Sequence, residues 1–124
     1  MTDTDLPVGA TKPTIFVDWD TIDGNPKFQN WLRARGKIFN LALLVSYPDI
    51  RDYTYFESKY DDLLRFDSVV RNTGKKRELE FKLNALEVYR EVSSSVPVAI
   101  LDGSFSARAI FAAEGLIALS DVEL

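Results

Sequence analysis

From Thr14 onward, unbroken apolar runs alternate with stretches whose apolar residues recur every three or four positions. Thr14-Ile15-Phe16-Val17 and residues 41–45, 67–71, 96–101 and 116–119 read as five strands. Phe28, Trp31, Leu32 and Arg35 follow the turn Gly24-Asn25-Pro26, which offers an N-cap and a proline at the first helical position, and Gly36 supplies the stop. Tyr53, Phe56, Tyr60, Leu63 and Leu64 mark a second amphipathic helix, and Leu79, Leu83 and Leu86 beside Phe81, Ala85 and Val88 a third. A short Ala-rich helix over 104–114 closes at Gly115. Continuous apolar strands alternating with helices predict a parallel sheet covered on both faces. The expected fold is a three-layer, doubly wound α/β domain over 14–124, with a mainly parallel five-stranded, Rossmann-like sheet. The polar, acidic residues 1–13 read as a flexible N-terminal segment.

Ligands of such sheets bind at the carboxyl ends of the strands. Asp18, Asp20, Ser46 and Asp102 all fall at expected strand ends. Asp18 follows directly on an apolar run, where a carboxylate is costly to bury unless it is paired or metal-bound. Near Asp102, the pair Asp18 and Asp20 would suit magnesium, a hard cation that prefers oxygen ligands. Each residue also has a purely structural role open to it. An Asp after a strand can be a turn former or helix cap, Ser46 can simply end a strand before Tyr47-Pro48, and Asp102-Gly103-Ser104 can be a capping turn. Lys82, between Phe81 and Leu83, can be a snorkelling surface lysine. Lys75-Lys76-Arg77 reads as a solvated loop that could also attract a phosphate.

Composition narrows the chemistry. At 124 residues with 46% hydrophobic content, the chain suits one domain with a core and is too short for two. It has neither Cys nor His, which excludes disulfides, thiolate–zinc sites, imidazole bases and His-rich metal sites. Catalysis would fall to carboxylates, Lys, Arg, hydroxyls or a hard metal. A net charge of −4 argues against a general nucleic-acid binder. The N-terminus lacks an apolar signal region and no apolar run reaches membrane-spanning length, so a soluble, cytoplasmic protein is expected.

Four motifs occur in a recognisable order. Asp18-Trp19-Asp20-Thr21-Ile22 follows the first strand, and Leu43-Leu44-Val45-Ser46 ends the second. Glu80-Phe81-Lys82-Leu83 precedes the fourth strand, which ends Ala99-Ile100-Leu101-Asp102-Gly103 before a helix and Gly115. Over residues 14 to 120 this pattern resembles the haloacid dehalogenase superfamily, in particular its small capless phosphatases and the phosphatase domains of phage-type polynucleotide kinases. The resemblance implies a magnesium-dependent phosphatase with Asp18 as nucleophile and Asp20 as general acid and base. It further implies that Ser46 binds a phosphoryl oxygen and Lys82 neutralises charge around the nucleophile. Magnesium would be held by Asp18, the Asp20 backbone carbonyl and Asp102. The implied substrate is phosphorylated, with nucleotides and nucleic-acid ends among the candidates.

The chain also departs from the family pattern. Thr21 stands where the family has Gly, Ile22 where it has Thr, and Gly103 where a second acidic residue is usual. The stretch from Asp20 to Asn25 leaves no room for a cap domain, and an open site suits a large substrate. Two other classes follow from the same residues. One is a degenerate member of the fold acting as a binding or regulatory module. The other is a metal-dependent nuclease of the PIN or NYN type, served by Asp18, Asp20 and Asp102. Monomer and homodimer are both compatible with the sequence.

Overall fold

The computed structural model describes residues 4–5, 12–47, 66–92, 97–120 and 122. The helix expected around Tyr53, Phe56, Tyr60, Leu63 and Leu64 lies outside them. The described elements are β1 (Thr4–Asp5), β2 (Thr14–Asp18), α1 (Trp19–Ile22), α2 (Pro26–Arg35), β3 (Asn40–Val45), β4 (Ser68–Arg71), α3 (Glu78–Val92), β5 (Pro97–Leu101), α4 (Phe105–Ala113) and β6 (Ile117–Leu119). They form one sheet in the order β1-β4-β3-β2-β5-β6. The five strands β2 to β6 pair in parallel, the doubly wound α/β arrangement that the apolar runs predict, and among the described residues there is no cap domain. Thr4–Asp5 adds a short antiparallel edge against Val69 and Val70, so these two residues of the expected flexible segment are paired with the sheet.

The order places β2 at the centre. The chain moves outward to β3 and β4, then crosses back to β5 and β6 on the other side. The reversal falls between β2 and β5, and a doubly wound sheet opens a crevice at that point. Asp18 ends β2 and Asp102 directly follows β5.

The period-two alternation of the strands sorts their side chains into two cores. Ile15, Val17, Leu41, Leu43 and Leu101 pack with Trp19, Ile22, Phe28 and Leu32 of α1 and α2. Phe16, Ala42, Leu44 and Ile100 pack with Phe81, Ala85, Leu86 and Tyr89 of α3 and with Ala107 and Phe111 of α4. Thr14, Phe16 and Asp18 therefore share the face that α3 covers. The Thr14 hydroxyl shares a 2.5 Å buried hydrogen bond with the Tyr89 hydroxyl, and Phe16 meets the Tyr89 ring edge to face at 5.4 Å. Tyr89 and Lys82 are seven residues apart, about 10.5 Å along the helix. Thr14 and Asp18 are four residues apart, about 13 Å along the strand. Once Tyr89 is seated on Thr14, the same helix face carries Lys82 to Asp18.

Tyr89→Phe removes the hydroxyl and is expected to cost about 1–2 kcal/mol, since the Thr14 hydroxyl loses a buried partner. Urea unfolding of the variant beside the wild type would measure the loss.

Candidate active site at the ends of β2 and β5

Asp18 caps a helical turn not foreseen in the chain. Its φ and ψ of −75° and 125° are extended, and Oδ2 accepts from the Thr21 backbone N–H at 3.0 Å. The single turn of α1 is held from below by Gln29, whose Nε2 donates to the Ile22 carbonyl at 3.0 Å. Asp18 therefore fulfils the structural role of a cap. That role occupies only one of its two oxygens.

The same Oδ2 also accepts from the Thr21 hydroxyl at 2.7 Å. Thr21 Oγ1 in turn accepts from the Gly103 backbone N–H at 2.8 Å. Thr21 thus ties the loop after β2 to the loop after β5. A Cβ at position 103 would lie 3.5 Å from Thr21 Oγ1, an ordinary contact, so close packing is not what requires glycine there.

Lys82 is fully buried, and the snorkelling role is excluded by its surroundings. Its ammonium lies 2.6 Å from Asp102 Oδ2, 3.0 Å from Asp18 Oδ1 and 3.0 Å from Glu78 Oε1. The contacts to Asp102 and Glu78 are hydrogen bonds. Asp18 Oδ1 lies outside hydrogen-bonding alignment and is a buried carboxylate oxygen that accepts no hydrogen bond. Burial, the largest influence on Lys82, works against its charge, but Asp18, Asp102 and Glu78 overturn it and hold the ammonium above the usual lysine range.

Asp18, Asp20 and Glu78 each place one carboxylate oxygen within 4.8 Å of the others, a grouping that could hold a metal ion. Asp18 is buried, Glu78 half-buried and Asp20 exposed. With Asp102, four carboxylates share the single ammonium of Lys82, a surplus of three negative charges when all are ionised. The surplus shows in the acids. Although Asp20 is exposed as a residue, partial desolvation of its carboxyl by its neighbours, then Asp18 and Glu78, push it above its ordinary value, with Lys82 pulling the other way. Burial and then Asp18 likewise raise Asp102, again against Lys82.

The expected site residues are thus distributed unevenly. Asp18, Lys82 and Asp102 meet directly, and Asp20 joins them through Asp18. Asp102 was expected among the metal ligands. Its Oδ2 accepts from Lys82 and its Oδ1 from the Ser104 backbone N–H at 2.8 Å, and the acidic grouping contains Glu78 in its stead. Ser46 lies one strand over, two residues beyond Leu44, which pairs with Asp18. It is buried and its hydroxyl has no hydrogen-bond partner. Glu78 is a site residue not singled out from the sequence, and Thr21 was noted there only as a departure from the motif. Glu78 reads as an ordinary first-turn acid that complements the helix dipole, although its spacing of four from Lys82 was a visible signal.

Comparison of the chain with models of protein families, with curated proteins and with solved structures yields no match. Among the described residues no helix is long and apolar enough to cross a membrane.

Proposed function

We propose that this protein is a magnesium-dependent phosphohydrolase that works through an aspartyl-phosphate on Asp18. The observation that carries the reading is the state of Asp18 Oδ1. It is buried, 3.0 Å from Lys82 and free of hydrogen bonds, and the carboxylate it belongs to is grouped with those of Asp20 and Glu78 at the switch point of the sheet. A carboxylate kept in that condition is suited to nucleophilic attack.

The residues fit a divalent cation. The donor set is all carboxylate, with no imidazole or thiolate in the chain, which favours a hard ion such as magnesium. The carboxylates of Asp18 and Glu78 would hold it, leaving the exposed Asp20 side chain for proton transfer. When bound, magnesium supplies positive charge that draws the phosphoryl oxygens and offsets the surplus of carboxylates.

The chain's own groups then perform two displacements. An Asp18 carboxylate oxygen attacks phosphorus, and the bond from phosphorus to the ester oxygen breaks as the Asp20 carboxyl gives that oxygen its proton. Asp20, now ionised, takes a proton from water. The resulting hydroxide attacks phosphorus, the bond to Asp18 breaks, and inorganic phosphate leaves with the Asp18 carboxylate restored. Lys82 places fixed positive charge beside the reacting centre. The raised Asp20 carboxyl matches an acid that must hold a proton before giving it up. Ser46, with its unpartnered hydroxyl, is assigned to a phosphoryl oxygen.

Hydrolysis of a panel of phosphate esters with magnesium, and with the metal chelated, tests this reading. Metal-dependent release of phosphate supports it. No turnover on any ester would defeat it and favour a non-catalytic binding module, and cleavage of single-stranded RNA would favour a nuclease. The division of roles has its own test. Asp20→Asn is expected to slow hydrolysis of an alkyl phosphate by about 10²–10⁴-fold. The loss should be far smaller on p-nitrophenyl phosphate, whose leaving group needs no proton. Equal losses on both esters, together with weakened magnesium binding, would reassign Asp20 to the metal.

A further inference from the structure

Beside the reaction centre lies a cleft of about 350 Å³ lined by Ser46, Tyr47, Asn72, Lys75 and Lys76. It sits along the same row of strand ends, with Ser46 and Tyr47 following β3 and Asn72 following β4. Neighbouring strands are about 4.8 Å apart, so the cleft spans roughly 5 to 10 Å from Asp18 along that row.

Its walls are held in place. Asn72 is buried and its side chain makes three hydrogen bonds. Nδ2 donates to the Ser46 carbonyl at 3.0 Å and the Lys76 carbonyl at 2.7 Å, and Oδ1 accepts from the Lys76 backbone N–H at 3.0 Å. This fastens the 72–76 loop to the end of β3. Lys75 within it adopts φ of 53°, a left-handed conformation that costs a non-glycine residue on the order of 1 kcal/mol and persists only where its surroundings enforce it. The loop therefore presents two adjacent lysines from a fixed backbone.

Among the described residues, the ammonium groups of these two lysines lack partners. Both are exposed, and among the described residues neither ammonium has a carboxylate beside it. In a chain of net charge −4, a cleft with two unneutralised cations is out of character. Ser46, whose buried hydroxyl is assigned above to the transferred phosphoryl group, also lines this cleft and so joins it to the reaction centre. The fifth wall is the ring of Tyr47, 63% exposed beside the cations.

We propose that this cleft is a subsite for a second phosphate of the substrate, so that the preferred substrates are bisphosphates whose two phosphates sit roughly 5–10 Å apart. The substrate claim rests on the phosphohydrolase reading, whereas the anion-binding claim rests on the cleft alone. Two ammonium groups held on a fixed loop suit a phosphate dianion or diester. Tyr47 offers a face on which a nucleobase can stack.

Calorimetric binding of adenosine 3′,5′-bisphosphate, adenosine 5′-monophosphate and fructose 1,6-bisphosphate separates the possibilities. The bisphosphates are expected to bind about 10–100-fold more tightly than the monophosphate, and Lys75→Gln/Lys76→Gln is expected to abolish the difference. The same variant should bring the ratio of kcat/KM values for bisphosphate and monophosphate close to one. No difference in the wild type, or one that survives in the variant, overturns the proposal. Tighter binding of the adenosine compound than of the sugar bisphosphate adds base stacking on Tyr47, and equal binding assigns the subsite to phosphate alone. Both results support the subsite. Binding measured in Asp18→Asn keeps the two readings apart. Lysine-dependent binding by a protein that turns over no ester would defeat the phosphatase and leave the subsite standing.

Discussion

Replacing Lys82 with methionine is expected to destabilise the metal-free protein by about 3–5 kcal/mol, the cost of leaving buried carboxylates without their cation. The substitution keeps the length of the stem, so the core around Phe81, Ala85 and Leu86 loses little packing. What it removes is the only ammonium within reach of Asp18, Glu78 and Asp102 among the described residues. The loss should depend on pH in a definite direction. Asp102 already titrates above its ordinary value, through burial and Asp18, and Lys82 is the main influence pulling it down. A carboxyl raised on folding contributes stability that is fully present below its unfolded pKa and lost as pH rises through its folded pKa. Without Lys82 both Asp102 and Asp20 rise further, so the variant should be penalised most near neutrality and recover in acid. Urea unfolding at about pH 4 and about pH 8 checks the sign. A penalty that grew in acid would mean that Lys82 is not the counter-charge of these acids. Adding Asp102→Asn should restore part of the stability, since the two positions are in contact and their effects should not add.

Asp18→Asn is expected to lower turnover by about 10⁴–10⁶-fold, the range found when a covalent nucleophile is deleted. The fold should survive. An asparagine oxygen can still accept from the Thr21 N–H and hydroxyl, and Lys82 keeps Asp102 and Glu78. A second readout separates loss of the nucleophile from loss of structure. After burial, Asp18 is the largest influence raising both Asp20 and Asp102. Removing its charge should move both carboxyls down toward their ordinary value, which carboxyl NMR titration would register. An inactive variant with those shifts has lost a charge at the site. An inactive variant without circular-dichroism evidence of helix or without a cooperative transition has lost the fold.

The sheet was legible because its strands are unbroken apolar runs, and such runs are what a doubly covered parallel strand requires. The position of Asp18 and Asp102 at strand ends was legible for the same reason. The turn of α1 was not, since it owes its existence to a cap formed by Asp18, a residue noticed for its chemistry. Lys82 could be proposed from the order of motifs, but its burial depends on Tyr89 seating α3 against Thr14, a contact between residues 75 positions apart. Glu78 was hidden among first-turn acids. Thr21 read as a departure from a pattern, and only the tertiary structure reveals its hydroxyl spanning two loops. Asn72 lay in a polar loop with nothing in its neighbours to mark it as the fastener of a cleft.

The contacts between the loops after β2 and β5 have a mechanical consequence. They close a circuit. It runs from Asp18 through the Thr21 hydroxyl to Gly103, back one residue to Asp102, and through the Lys82 ammonium to Asp18 again. The two strand ends are thereby clamped past Val17 and Leu101, the last pair in their ladder, by two arcs of different nature. One arc is a pair of hydrogen bonds through the Thr21 hydroxyl; the other is an ion pair, buried where dissolved ions screen it weakly. A shear that opens one arc must stretch the other, so the gap between nucleophile and counter-charge behaves as the width of a rigid frame instead of the reach of two flexible loops.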